Sequence, residues 1–508
     1  MGHRTEPGRV SGDARAGLPA PPAPPAGSSR EVSTLRAGFD AAGFAGAAVR
    51  AALGAETELL SQAFDVAVHE RRLARAPAPL ATLIRLFVLD LPVEADTADR
   101  TLTGVGAELL VGLGLAAEEA GTLRARARIV PHDELLIVSD LVTQASPEHV
   151  AGVHRPSATL ANLTVRRQVA RALDVGTGNG IQALLTAAHA GHVVATDVNE
   201  RALAFAEFNA ALNGITNVEL RAGSFFEPVE GERFDLVVCN PPYVISPETA
   251  HVFRDSGLPG DTVSEQLVGV LPGHLADDGF GTIMISWIAG AGDPAARPRG
   301  WLEGSGCDAW ILHTATEDPL RAAASWNRIG GVSGDNAYGE RLDTWLEYYA
   351  GLGIEGIAYG AAVLHRRSGG GNWTRSAELA AGRLNPASAH LQQIFAAQEL
   401  LRETTGDALL DARLGLVEAA RFDRTERVVD GRWVLASAAL RLEAGIGFGV
   451  NLDRFGAALA ALLDGHAPVR EHLPKLAAEL ELPERQLVAF ATQLVEHLVT
   501  HGFAMPAD

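Results

Sequence analysis

The chain has 508 residues, 47% of them hydrophobic and 20% charged, and a formal net charge of −20. That length exceeds one ordinary hydrophobic core, so about two to four domains are expected, and the acidic balance argues against broad nucleic-acid binding while leaving room for a local arginine patch. Two cysteines, Cys239 and Cys307, exclude a disulfide scaffold and lack metal-ligand spacing.

Residues 1–33 are rich in Gly, Pro, Ala and Ser, including Pro21-Pro22-Ala23-Pro24-Pro25, and read as a disordered tail. They carry no signal-peptide h-region, and the chain has no uncharged apolar run of about 18 residues. A soluble, cytoplasmic protein with no membrane contact is therefore expected. Residues 34–150 read as a mostly helical domain. Val49, Leu53, Leu60 and Phe64 share a helical face, Leu80, Leu83, Ile84 and Phe87 repeat the pattern, and Val105, Leu109 and Leu113 do so more weakly. Ile129-Val130 and Leu135-Leu136-Ile137-Val138 then bracket Pro131-His132-Asp133 as a β-hairpin. Helices followed by a hairpin suggest a winged-helix-like module. Such a module either reads nucleic acid or serves as a structural or docking element, and the negative charge favours the second. Ser146 to Leu160 reads as a connection running over the next domain's ligand cleft.

Residues 151–370 alternate strand and helix patterns. Strands are expected at Ala172–Val175, His192–Asp197, Val218–Gly223, Phe234–Asn240, Gly281–Trp287, Ala309–His313 and Gly356–His365. Helices are expected over Ile181–Ala190, Glu200–Leu212 and Val263–Leu275. Seven strands with helical crossovers make a doubly wound α/β sheet. Ser368-Gly369-Gly370-Gly371-Asn372 reads as a flexible linker. Residues 377–508 read as an α-rich C-terminal domain. It opens with a helix at Leu391–Phe395, has a strand pair around Arg424–Leu440 turning at Asp430-Gly431, and closes with helices at Leu473–Leu480 and Arg485–His501. The last two resemble a helix-turn-helix; without a basic recognition face they read as packing or partner docking.

Two stretches carry chemistry. Gly176-Thr177-Gly178-Asn179-Gly180 follows a strand and opens a helix, but Ile181 stands where a dinucleotide fingerprint needs its third glycine. This spacing instead brings backbone against a small nucleoside without a pyrophosphate. Asp174 places a carboxylate beside the loop, suited to a ligand ammonium group, and Asp197 ends the second strand where a ribose-hydroxyl acceptor stands. The second stretch is Asn240-Pro241-Pro242-Tyr243 after the apolar strand Phe234–Cys239. Successive prolines stop the ladder and hold the backbone extended, presenting carbonyls, an amide and an aromatic ring to something flat that carries an NH2 group. His251, Arg254 and Asp255 either line the substrate mouth or sit on an exposed loop with ordinary charges. His132, His149 and His154 have no metal-like spacing, so no metal site is expected.

Residues 160–366 resemble class I S-adenosylmethionine-dependent methyltransferases, and within them the HemK-type enzymes that methylate a glutamine side-chain amide (N5) in translation release factors. The resemblance rests on Leu173–Gly180, Thr196-Asp197-Val198-Asn199, Gly223-Ser224-Phe225-Phe226 and Asn240-Pro241-Pro242-Tyr243. It implies a seven-stranded Rossmann-like methyltransferase domain with S-adenosylmethionine as cofactor. The backbone of Gly176, Thr177, Gly178 and Gly180 would face the cofactor's amino-acid part, Asp197 and Val198 its ribose end, and Ser224 and Phe225 its adenine, with Asn240 bordering cofactor and substrate. Ser224 stands where the family usually carries an acid. The long N-terminal domain differs from the family's short one, and the C-terminal domain has no counterpart.

The expected chemistry is N-methylation of a planar amide or amine. The Asn240 oxygen and Pro241 carbonyl would accept the two N–H bonds, Pro242 would fix the geometry and Tyr243 would stack on the acceptor. A protein glutamine, in a partner such as a translation release factor, is favoured. An exocyclic amine of adenine (N6) or guanine (N2) in RNA or DNA, and a small molecule, are the alternatives.

Overall fold

The computed structural model describes residues 21–54, 66–142, 146–249, 252–290, 292–329, 335–367, 369, 372–379 and 384–506. Leu60, Phe64, His251 and most of the glycine linker at 368–371 lie outside them. The chain divides into two compact units, one of Met1–Ala161 with Gln168–Ser376, the other of Asn162–Arg167 with Ala377–Asp508.

The first unit is built on an eight-stranded sheet. Its order is Thr374–Glu378, Cys307–Glu317, Ile357–Arg366, Leu275–Ile288, Phe234–Cys239, Val169–Val175, Ala190–Asp197, Val218–Ala222. The last five in this order are parallel, whereas Ile357–Arg366 runs antiparallel to both of its neighbours. All seven expected strands are present, and Thr374–Glu378 adds an edge beyond the expected linker. The central parallel strands are buried along apolar runs such as Leu236-Val237-Val238-Cys239, as strands covered on both faces must be, whereas the edge strand Val218–Ala222 is half-buried to exposed. Helices Pro319–Ile329 and Asp335–Gly351 fill the stretch before the last long strand.

The N-terminal region packs short helices around Leu35, Phe39, Val49, Leu83 and Phe87, and adds a small sheet ordered Val93–Glu94, Thr122–Ala125, Ala116–Glu119. Its first helix, Ser29–Ala41, begins inside the stretch read as tail. Ser28 and Glu31 form a reciprocal capping box there, satisfying two N–H groups that a helix start leaves unpaired. The expected hairpin forms from Arg128–His132 and Leu135–Ser139. The same apolar core also takes in Phe205, Phe208 and Leu212 of the helix Glu200–Leu212, so it crosses residue 150 without a break.

In the second unit, helices Ser388–Glu403, Val469–Leu480 and Glu484–Thr500 surround Leu391, Ile394, Leu473 and Val495. The strand pair is a long ribbon, Ala420–Val429 against Arg432–Leu442, turning at Asp430 and Gly431 with φ of 49° and 74°. Positive φ at both turn residues matches the right-handed twist of the flanking strands. Among the described residues no helix is long and apolar enough to cross a membrane.

Candidate active site

The sheet register assembles the site. Val175 pairs with Cys239 on one side and Thr196 on the other, so the glycine loop and Asn240 leave adjacent strands side by side. Asp197 pairs with Ala222, which brings Gly223-Ser224-Phe225 alongside. This is the switch point of a doubly wound sheet, where crossovers diverge and a crevice opens at the strands' carboxyl ends. A cleft of about 1350 Å³ lies there, lined by Gly176, Thr177, Gly178, Asp197, Val198, Ser224, Phe225, Asn240 and Pro242. The connection from Glu148 to Ser157 forms part of its wall, as expected.

Gly176 and Gly178 take φ of 71° and 56°, and a Cβ at either would point into open space. Backbone, rather than side chain, therefore faces the cleft. Gly180 does a different job: with φ of 87°, its missing Cβ would stand 3.0 Å from that of Ala206, so it lets the helix Glu200–Leu212 pack close. Asp174 does not line the cleft. It is 1% exposed, and its carboxylate accepts from Thr177 Oγ1 at 2.6 Å and the Ala183 N–H at 2.9 Å, bracing the loop from behind. Burial pushes its pKa up to about 7. Asp197 does face the cleft, with one oxygen accepting the Gly178 N–H and the other the Asn199 N–H, each at 2.9 Å. Burial raises its pKa, and the backbone N–H bonds oppose the rise.

Val198 is 60% exposed, an apolar platform on the cleft beside Asp197. Phe225, also on the wall, sits at φ of 46°, a strained conformation for a bulky residue. Its carbonyl is held by Thr196 Oγ1 at 2.9 Å. Such strain, where neighbours over-determine it, is found at ligand sites.

At the fourth strand's end, Asn240 Oδ1 is buried and accepts no hydrogen bond. Pro241 is not a cleft-lining residue; its carbonyl accepts the Tyr243 N–H at 2.8 Å. Tyr243 is 7% exposed and also lies off the cleft wall, its carbonyl held by the Ser286 hydroxyl and its phenol pKa raised by burial. The aromatics that line the cleft are Phe225, Phe226 and Phe253, the last with its ring 5.4 Å from that of His149.

Residues 152–255 match the family model described as "Methyltransferase small domain". The chain carries a class I methyltransferase domain. Residues 41–126 and 392–506 match two further models, each described as a domain of unknown function (DUF7059 and DUF7782). The chain is 38% identical over 135 residues to a release factor glutamine methyltransferase of Xylella fastidiosa, covering 26% of this chain and 45% of that protein. It is 35% identical over 125 residues to a ribosomal protein uL3 glutamine methyltransferase of Bordetella pertussis, covering 22% and 42%. A ribosomal protein L11 methyltransferase of Lactobacillus delbrueckii is 45% identical over 87 residues, covering 16% and 27%. The chain thus spans less than half the length of each of these relatives.

One feature of the methyltransferase domain was not visible in the sequence. Arg254, read as either mouth-lining or exposed, is 2% exposed and fully paired. It grips Asp255 with two bonds, 2.8 and 3.0 Å, and Glu248 at 2.6 Å. Glu248 also takes two bonds from Arg341, both 2.7 Å, and one from Trp345 Nε1. Burial alone would raise the Glu248 carboxyl, but the Arg341 and Trp345 hydrogen bonds and the arginine charges hold it at about 2. This network ties the loop after Tyr243 to the helix Asp335–Gly351, leaving Asp255 on the cleft wall. Its signal was hidden because Arg341 lies 93 residues from Glu248.

Proposed function

We propose that the chain is an S-adenosylmethionine-dependent N-methyltransferase whose acceptor is the side-chain amide of a protein glutamine. The observation that carries this reading is Asn240, which lines the cleft beside the glycine loop and whose buried Oδ1 has no donor. An unmet buried acceptor costs on the order of 1–3 kcal/mol, and an amide N–H arriving from the cleft would satisfy it. Relatives named for glutamine methylation support the choice of amide.

The residues present fit the cofactor. Gly176 and Gly178 offer backbone without side chains, Asp197 offers carboxylate oxygens to ribose hydroxyls, and Val198 and Phe225 offer apolar faces to a purine. Ser224 lies beside Phe225 with a hydroxyl for the purine's edge. When bound, the cofactor supplies an electrophilic methyl group on a sulfonium sulfur. Asn240 Oδ1 would then accept one N–H of the substrate amide, with the Pro241 carbonyl closing the turn behind it through the Tyr243 N–H. Held so, the nitrogen would present its lone pair to the methyl group, and Asn240 Oδ1 would stabilise the positive charge that develops as the N–C bond forms, the S–C bond breaks and the extra proton leaves to solvent. Asp174 acts behind the loop as a brace, and Tyr243, buried at the turn, backs the acceptor pocket.

The acidic groups at the cleft, Glu148, Asp197, Glu200 and Glu227, outnumber its one lining arginine, Arg201, and favour a protein over a polynucleotide. The test is incubation of the pure protein with methyl-labelled cofactor and a cell lysate, followed by nuclease or protease. Label that survives nuclease, falls to protease and appears as N5-methylglutamine on hydrolysis supports the reading. Label lost to nuclease, or confined to small molecules, overturns it.

A further inference from the structure

The glycine loop is fastened from an unexpected direction. Asn179, its fourth residue, is 3% exposed, and its backbone carbonyl accepts a hydrogen bond from Asn209 Nδ2 at 2.8 Å. Its own side chain donates to the Ala151 carbonyl at 2.8 Å and accepts the Ile181 N–H at 3.0 Å. Asn209 is wholly buried on the helix Glu200–Leu212. Besides the loop, it serves the N-terminal hairpin: its Oδ1 accepts the Val138 N–H at 2.8 Å, and its Nδ2 donates to the Val138 carbonyl at 2.9 Å.

The arrangement repeats one helical turn later. Asn213, the residue following this helix, accepts the Leu136 N–H and donates to the Leu136 carbonyl, both at 2.9 Å. Four helical residues rise about 6 Å, and two strand residues rise about 6.6 Å, so asparagines at i and i+4 match antiparallel strand residues at j and j−2. Each side-chain amide, with a donor and an acceptor, imitates the peptide unit of a neighbouring strand. The outer edge of the hairpin is thereby paired, although a helix, not a strand, lies beside it.

We infer that Asn209 is a positioning residue for the cofactor, making the N-terminal module a working part of the site. The inference rests on the proposed function for the identity of the ligand. Asn209 bonds both to the glycine loop and to the hairpin, whereas the Asn213 side chain bonds to the hairpin edge, the Asn209 carbonyl and Arg36. Packing runs the same way. Val130 and Ile137 of the hairpin pack with Ile181, Leu184 and Leu185 of the helix that follows the loop. Asn209 would thus hold the Asn179 peptide, and with it the flanking Gly178 N–H that Asp197 receives, in the geometry a nucleoside needs.

The test compares Asn209→Ala with Asn213→Ala by titration calorimetry with S-adenosylmethionine, amide hydrogen exchange over residues 176–181 and thermal midpoint. Asn209→Ala is expected to weaken cofactor binding at least ten-fold and speed exchange in the loop. Asn213→Ala should leave both within about two-fold at a similar midpoint. Should Asn209→Ala not fold, Asn209→Asp keeps the bond from Val138 N–H, lacks both donors and is expected to behave alike. Unchanged loop exchange in the Asn209 variant, or losses that merely follow the midpoint in both variants, would overturn the inference. A wild-type protein that binds no S-adenosylmethionine contradicts the proposed function instead; loop exchange then decides the role of Asn209 alone.

Discussion

The molecule contains two hairpins built by the same local rules and used in opposite ways. Arg128–His132 with Leu135–Ser139 is buried on both faces. Ile129, Leu136 and Val138 enter the N-terminal core, while Val130 and Ile137 face the helix after the glycine loop. Its outer edge is paired with Asn209 and Asn213. The ribbon Ala420–Val429 with Arg432–Leu442 projects from the second unit with most side chains exposed, Trp433 at 71% and Val428 at 58% among them. Strand formation in the two cases has different support. In the first, burial on two faces and side-chain amides hold the strands; in the second, cross-strand pairs such as Val428 with Trp433 and the tight Asp430-Gly431 turn do.

The contrast is broken most sharply in the buried hairpin. Ile137→Ala is expected to destabilise the protein by about 2–5 kcal/mol, because the cavity lies between two packed layers. Chemical denaturation checks this, and a loss below about 1 kcal/mol would show that the hairpin is not the core element described. The bracing carboxylate of the loop comes next. Burial raises the folded-state pKa of Asp174 to about 7, well above the usual carboxylate range, so the folded state holds its proton more tightly than the unfolded one. Stability from this group is therefore full below about pH 4 and is lost as pH rises toward about 7. Asp174→Asn should flatten that part of the pH–stability curve relative to wild type, and parallel curves would contradict it. The smallest effect is expected in the exposed ribbon. Trp433→Ala should change stability by less than about 0.5 kcal/mol, measured in the same denaturation series, and a larger loss would mean that its indole is supported by something beyond the ribbon.

The same contrast explains what was legible in the sequence. The helix Glu200–Leu212, the strand Phe234–Cys239 and both hairpins follow from local apolar patterning and turn residues; the structure places the first three within a residue of the expected bounds, and starts the ribbon at Ala420, four residues before the expected Arg424. The glycine loop and Asn240 could be placed at strand ends because strand–loop–helix order is local. What pairs with what was not legible. The small sheet Val93–Glu94, Ala116–Glu119, Thr122–Ala125 lacks alternation, since Glu118 and Glu119 are solvent-facing and the strands are very short. Asn179 has nothing near it in sequence to mark its role, because Asn209, its partner, is 30 positions away. Pro241 and Tyr243 were assigned to the cleft from the motif alone, while the turn between them is closed by their own backbone hydrogen bond. The start of the first helix was visible in Ser28-x-x-Glu31 but was outweighed by the composition around it.

The most direct measurement is single-turnover methyl transfer by Asn240→Ala, alongside calorimetric titration of the same variant with S-adenosylmethionine. Loss of one transition-state acceptor predicts transfer slowed by about 10²-fold or more, with cofactor affinity within about three-fold of wild type. Transfer at the wild-type rate would contradict the assignment of Asn240 Oδ1 as the acceptor that orients the reacting nitrogen.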